Sequence, residues 1–225
     1  MFQSLRLLST DNHKEKAGRS QLDGLFCTPL NDKGMNICIF AASSSKIDRI
    51  YFDAAFRLGD LMAEGGHNII YGGGGIGLMG AMADAAMKKG AKITGVIPAF
   101  MYDNGWGHKG IDELVVTDDM GSRKKKMFEL SDALIALPGG DGTLEELTEA
   151  ITLKQLGLFR GPLIMLNTAS YYSPLISFFE SAINKGFMLA AHKKIWAVAG
   201  TPEEAMEAAD RYKDWHDDPA SIAKI

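Results

Sequence analysis

Cysteine is scarce in this sequence: Cys27 and Cys38 are the only two among 225 residues. That number argues against a disulfide framework and makes a reducing compartment the expectation. Long apolar runs are missing too, and nothing approaches the roughly 18 residues that a membrane span needs. The start, Met1 to Leu8, is partly apolar, but the polar residues from Asp11 to Lys16 interrupt it before a signal segment can form. The expectation is a cytoplasmic protein with no membrane partner. An excess of positive charge is also lacking. Asp and Glu number 28 against 24 Lys and Arg, a formal net charge of −4, which argues against general binding of nucleic acid. No internal repeat is visible, and the length suits one sizeable domain.

What the chain does have is glycine, 25 of 225 residues or about 11% against a usual ~7%. Such an excess means either low complexity or backbone that turns tightly and approaches a ligand, and the placement of the glycines decides. Residues 1–34 show no sustained period and read as an N-terminal extension; residues 35–225 read as a single domain. From Met35 onward, strand and helix signals alternate. Strands are expected at Ile37–Phe40, Asn68–Tyr71, Lys92–Ile97, Leu114–Val116, Ala133–Leu137, Leu163–Leu166 and Ile195–Val198. Helices are expected at Tyr51–Glu64, Leu78–Lys89, Arg123–Leu130, Thr143–Leu156 and Ser173–Lys185. A last helix opens at Thr201 with Pro202 at its first position, and Gly90 closes the second helix. Residues 99–111 read as a loop. This alternation predicts an α/β fold, three layers α/β/α around a mostly parallel sheet.

Nine of the glycines fall in two strand-to-helix turns. One is Gly72-Gly73-Gly74-Gly75-Ile76-Gly77-Leu78-Met79-Gly80; the other is Pro138-Gly139-Gly140-Asp141-Gly142-Thr143. Low complexity is therefore excluded. In open α/β sheets, ligands bind beyond the carboxyl ends of the strands. A glycine turn there points backbone N–H groups at an anion, and the following helix adds its dipole. Neither turn ends in Gly-Lys-Ser/Thr, so neither is a Walker A loop, and the third-glycine spacing of a dinucleotide fingerprint is wrong. One such turn is as well explained by tight chain reversal alone; two of this density favour a ligand. Thr143 is expected to begin its helix, with Glu145 and Glu146 in the first turn. A third cluster, Arg123-Lys124-Lys125-Lys126, reads on its own as a solvated face. At a helix start it is electrostatically awkward unless an anion lies opposite. His67 and His108 lack partners at metal-ligand spacing, so no metal site is expected.

Taken together, these segments resemble the Lonely Guy family, formerly labelled lysine decarboxylases. The family pattern PGGxGTxxE is matched by Pro138 to Glu146, and M-x-x-R-K-x-x-M by Met120, Arg123, Lys124 and Met127. The likeness covers roughly residues 35–185. It implies a Rossmann-like nucleotide-binding domain and a phosphoribohydrolase that cuts the N-glycosidic bond of a nucleoside 5′-monophosphate. The products are a free base and ribose 5-phosphate, and the substrates are AMP-like nucleotides or cytokinin riboside monophosphates. The resemblance assigns Glu146 and Arg123 to catalysis and Glu145 to the ribose hydroxyls. Gly139, Gly140, Gly142 and Thr143 would hold the phosphate, Lys124 would support the substrate, and Gly73, Gly74 and Met79 would form the opposite wall. It also implies a homodimer and no cofactor. Trp106 and His108 stand in a loop where plant-type members carry an acidic substrate contact, and Asp141 stands where those members commonly have an aromatic. A pyridoxal-dependent decarboxylase would need a Schiff-base lysine, for which no lysine here has the context. The alternative is a non-catalytic nucleotide or molybdenum-cofactor carrier of the same fold, which would have no use for Glu146 and Arg123.

Overall fold

The computed structural model describes residues 34–212. The expected N-terminal extension therefore lies, Gly34 apart, outside the described residues, as does Cys27. Seven strands form one parallel sheet: β1 (Asn36–Phe40), β2 (Asn68–Tyr71), β3 (Ile93–Pro98), β4 (Glu113–Thr117), β5 (Ala133–Ala136), β6 (Leu163–Leu166) and β7 (Ala197–Ala199). Their spatial order is β4-β3-β2-β1-β5-β6-β7. Among the described residues six α-helices lie between them, α1 (Arg49–Glu64), α2 (Gly77–Lys88), α3 (Ala99–Asp103), α4 (Met120–Glu129), α5 (Asp141–Gln155) and α6 (Ser173–Asn184), and α7 (Pro202–Asp210) follows the last strand. This is the expected three-layer α/β fold.

Residues of the inner strands alternate between two apolar cores, so those strands are buried on both faces and read as continuous apolar runs, whereas the edge strands β4 and β7 are partly exposed. Ile37, Ile39, Ile69, Ile135 and Ile164 meet Leu58 and Met62 of α1, Met82 of α2 and Met206 of α7. Cys38, Phe40, Ile70, Leu134 and Met165 meet Met127 and Phe128 of α4, Leu147 and Ile151 of α5 and Phe179 of α6. Each fully buried Ile or Leu of this kind stabilises the fold by about 1.5–3 kcal/mol. Local chemistry sets the helix ends. The Asp48 carboxylate caps α1 at Ile50 N, 3.2 Å away, and Thr201 caps α7 at Glu204 N at the same distance. Gly90 takes φ +82° after α2, the left-handed geometry that glycine tolerates best.

Some boundaries differ from those expected. Residues 99–103 form α3, a five-residue helix with no buried side chain, so it carries no apolar period to read. The last strand is Ala197–Ala199, because Ala190–Lys194 form a 3₁₀ turn that delays it. Helix α4 begins at Met120 instead of Arg123, since Asp119 caps it by accepting from Ser122 N at 2.7 Å. Helix α5 begins at Asp141, so Thr143 is its third residue and Glu145 and Glu146 lie beyond the first turn. The helix dipole alone does not explain glutamates there, because its effect fades within that turn.

The sheet order fixes where a ligand fits. From β1 the chain moves through α1 to β2 on one side; from β5 it moves through α5 to β6 on the other. The crevice above the carboxyl ends of β1 and β5 is the point where strand order reverses. Both glycine turns open there or one strand away.

Candidate active site

The two glycine turns are joined by one residue following β1. The Ala42 amide donates to Pro138 O at 3.3 Å, and its carbonyl accepts from Leu78 N at 2.9 Å and Met79 N at 3.4 Å. Two amides that α2 would otherwise leave open are therefore used structurally. Gly77 permits this approach: it takes φ +67°, and a Cβ there would stand 2.5 Å from the Ser43 carbonyl carbon. Helix α5 differs. Its N-cap is Gly140, no side chain caps it, and nothing lies within 4 Å of where a Gly140 Cβ would be. Open amides, dipole and free space coincide at Pro138–Thr143, which makes this turn the better anion cradle.

Arg123 and Glu146 meet deep beside it. Arg123, from α4, is 7% exposed, and Glu146, from α5, is 8% exposed. Arg123 Nη1 donates to Glu146 Oε1 at 2.8 Å, and its Nε donates to Val96 O of β3 at 3.0 Å. The guanidinium passes over Gly72, where a Cβ would lie 2.0 Å from Nη2. Thus β2 supplies an opening, β3 an anchor and α5 the counter-charge. The pair is buried, so its energetics are delicate: desolvation and Coulomb attraction are both large and opposed. Burial pushes the Glu146 carboxyl above the usual range, while Arg123 pulls it back without cancelling that rise. A carboxylate of raised basicity held by one fixed donor is placed to accept a proton.

The other expected site residues fall into two groups. Met79 lies over the first glycine turn, its Cε 3.0 Å from a notional Gly74 Cβ, while Gly73 packs against Leu114 and Ile97. Thr143 is buried, its hydroxyl against Gly139, where a Cβ would stand 2.1 Å from Thr143 Oγ1. Gly142 has free space beside it. Met79 and Arg123 both approach Gly72, and Glu146 is bonded to Arg123, so these three side chains are neighbours. Lys124 turns to acids of α5 instead: it hydrogen bonds Glu145 and lies 2.7 Å from Glu149 Oε2. Burial lowers the basicity of its ammonium, but Glu145 and Glu149 outweigh that and hold it above the ordinary range. The Cys38 thiol is fully buried, and burial pushes its ionisation far up, which removes it as a nucleophile.

Tyr171 and Tyr172, which brace the backbone of the turn, carried no signal in the sequence. The Tyr171 hydroxyl donates to Gly139 O and the Tyr172 hydroxyl to Leu137 O, each at 2.6 Å. These partners lie 32 and 35 residues apart in the chain, and only the β5–β6 pairing brings them together. His108 joins the other wall: its amide donates to Gly73 O at 2.8 Å, and its ring Nε2 lies 3.2 Å from Asp84 Oδ1. Trp106 is more than half exposed.

A family model described as "Possible lysine decarboxylase" matches residues 79–209. A rice protein (Oryza sativa subsp. japonica) named as a probable cytokinin riboside 5′-monophosphate phosphoribohydrolase is 39% identical over 188 residues, covering 84% of this chain and 77% of that protein. An Arabidopsis thaliana protein named as a cytokinin riboside 5′-monophosphate phosphoribohydrolase is 38% identical over 192 residues, covering 85% and 90%. Among solved structures, the Moco carrier protein of Chlamydomonas reinhardtii superposes with a TM-score of 0.61 at 22% identity, covering 80% of this chain and 97% of that one. The molybdenum cofactor binding protein of Rippkaea orientalis gives 0.60 at 23% identity, covering 78% and 95%. At such identities these structures share the fold alone. With a family model spanning more than half of the chain and relatives near 38% identity along most of it, the chain belongs to the Lonely Guy family.

Proposed function

We propose that this protein hydrolyses the N-glycosidic bond of a nucleoside 5′-monophosphate, releasing the free base and ribose 5-phosphate. The observation that carries this reading is the buried Arg123–Glu146 pair beside an uncapped helix N-terminus. The open amides of the Gly139–Thr143 turn bind the 5′-phosphate, and the ribose then extends from that anchor toward Glu146. Breaking the C1′–N bond leaves positive charge spread over C1′ and the ring oxygen, as in other glycoside cleavages. The Glu146 carboxylate stabilises that cation and takes a proton from the attacking water; a proton returns to the departing base, so the net change is addition of water. Arg123 fixes the carboxylate through Nη1 while Val96 O fixes Arg123. Binding energy from the unreacting phosphate is thereby used to orient the reacting bond.

In this reading Glu145, more than half exposed in its side chain and paired with Lys124, contacts the ribose hydroxyls, and Lys124 supports the substrate through it. Gly73, Gly74 and Met79 form the far wall. The names of the relatives support cytokinin riboside monophosphates as substrates, and AMP-like nucleotides share the same phosphate and ribose. The scarcity of cysteine supports a reducing, cytoplasmic setting. Exposed Leu156 and Leu158 at the end of α5 support a homodimer with that helix near its interface, which light scattering tests directly. Lys124 is a poor Schiff-base lysine, because Glu145 and Glu149 hold it charged. The carrier alternative has no use for the buried pair.

The test is a panel of nucleoside monophosphates assayed for released base and ribose 5-phosphate, with native mass spectrometry of retained ligand. Base release is the expected result. If AMP and cytokinin riboside monophosphates bind but yield no base with enzyme in excess, the protein is a carrier and the hydrolytic reading fails.

A further inference from the structure

The carbonyl oxygens of the turn at Pro138 are all fixed. Leu137 O accepts from the Tyr172 hydroxyl, Pro138 O from the Ala42 amide and Gly139 O from the Tyr171 hydroxyl. The third of these has a particular consequence. In a planar trans peptide the C=O and N–H point opposite ways. Holding Gly139 O on Tyr171 therefore turns the Gly140 N–H away from the tyrosine, toward the open side of the turn. This peptide joins two glycines, the pair with the least resistance to rotation of the peptide plane. No Cβ of either residue opposes a flip, and the space at Gly140 is free. A flipped peptide would put a carbonyl oxygen where an anion binds.

The phenol is itself held at some cost to the backbone. Ala169 and Ser170, just before it, take φ +51° and +61°, a left-handed pair without glycine. Asn167 spans this kink: its side-chain oxygen accepts from Tyr172 N at 2.6 Å, and its backbone oxygen accepts from Ser170 N at 3.0 Å. Tyr51 of α1 packs its ring edge-on to Tyr171 at 5.9 Å, and Tyr171 meets Tyr172 likewise at 5.2 Å. Strain retained in one turn, with three rings converging on one loop, marks a segment fixed for a purpose.

We propose that Tyr171 is a positioning residue that locks the Gly139–Gly140 peptide with its N–H facing the substrate phosphate, and so sets phosphate affinity. This rests on the reading that the turn binds the 5′-phosphate. Tyr172 has a different task. Its acceptor belongs to the Leu137–Pro138 peptide, which has no N–H to aim, so it holds the fold of the turn.

Tyr171→Phe and Tyr172→Phe in the full chain test this. Tyr171 is 41% exposed, so water can reach the vacated carbonyl and the variant folds. If the unlocked peptide is competent about one tenth of the time, apparent affinity falls about tenfold. KM for the nucleotide and Kd for ribose 5-phosphate and inorganic phosphate therefore rise together by about tenfold in Tyr171→Phe. Its kcat stays within about threefold, and affinity for the phosphate-free nucleoside is unchanged. Tyr172→Phe lowers the melting temperature and leaves phosphate affinity near that of the parent. The proposal is overturned if Tyr171→Phe binds ribose 5-phosphate as the parent does, or if nucleoside and nucleotide weaken equally; the hydrolytic reading survives either result. If the parent protein itself neither binds ribose 5-phosphate nor releases base, the phosphate-loop reading and the lock fall together.

Discussion

Replacing Glu146 with Gln separates the chemistry of the site from its architecture. The amide is nearly isosteric and keeps an oxygen able to accept from Arg123 Nη1, a bond of 2.8 Å in the parent. What disappears is the negative charge. Two opposed effects on stability follow. The cost of burying a carboxylate, which already pushes Glu146 upward in pKa, is relieved. The Arg123 guanidinium, equally buried, loses its counter-charge and keeps only Val96 O and an amide oxygen. Breaking a buried pair outright costs about 3–5 kcal/mol. With the hydrogen bond retained, and with burial outweighing the pull of Arg123 on the carboxyl, the neutral amide is expected to leave Tm within about 4 °C of the parent or to raise it. The effect on catalysis is much larger in rate terms. Loss of a positioned proton acceptor slows turnover by about 10²–10⁴, or roughly 3–5 kcal/mol of barrier. The assay is base release under single-turnover conditions, with ribose 5-phosphate binding and circular dichroism measured on the same samples. A folded Glu146→Gln protein that binds ribose 5-phosphate and turns over within threefold of the parent would refute the role given to this carboxylate.

Further outcomes follow from the same geometry. Gly72→Ala places a methyl 2.0 Å from Arg123 Nη2, so the guanidinium must move off Glu146; overpacking of about 1–3 kcal/mol and a turnover loss of tenfold or more are expected, and an unchanged rate would place the guanidinium elsewhere. The acid limb of the kcat profile should lie above the ordinary Glu range, because burial raises the Glu146 carboxyl, and the limb should vanish in Glu146→Gln. The sign for stability is the reverse of the usual carboxylate case. The folded state holds this proton more tightly than the unfolded one, so the Glu146 contribution falls as pH rises from the ordinary Glu value through the folded one. Comparing urea midpoints of parent and Glu146→Gln across that window checks it. Ser170→Gly relieves a left-handed residue at φ +61°, and a gain of about 1 kcal/mol, roughly 2–4 °C in Tm, is expected by calorimetry; a fall would show that the kink costs nothing.

By itself the sequence determined the architecture and singled out the two glycine turns, because both are local signals. Apolar runs such as Ile37–Phe40 and Ala133–Ala136 are strands buried on two faces. Glycine gathers at the turns because a Cβ at Gly72 or Gly77 would strike neighbouring atoms. The short elements were less legible. Helix α3 buries no side chain and β7 has three residues, so neither contains enough of a period to read. Only the tertiary structure decided how the parts act together. It distinguished the two glycine turns, using Ala42 O to occupy amides at the start of α2 while leaving those of α5 open. It turned the basic cluster inward at Arg123, bound Lys124 to Glu145 and Glu149, and set Tyr171 against Gly139. The reason is physical: the partner of each such group lies 21 to 37 residues away in the chain, and sheet order alone brings them into reach.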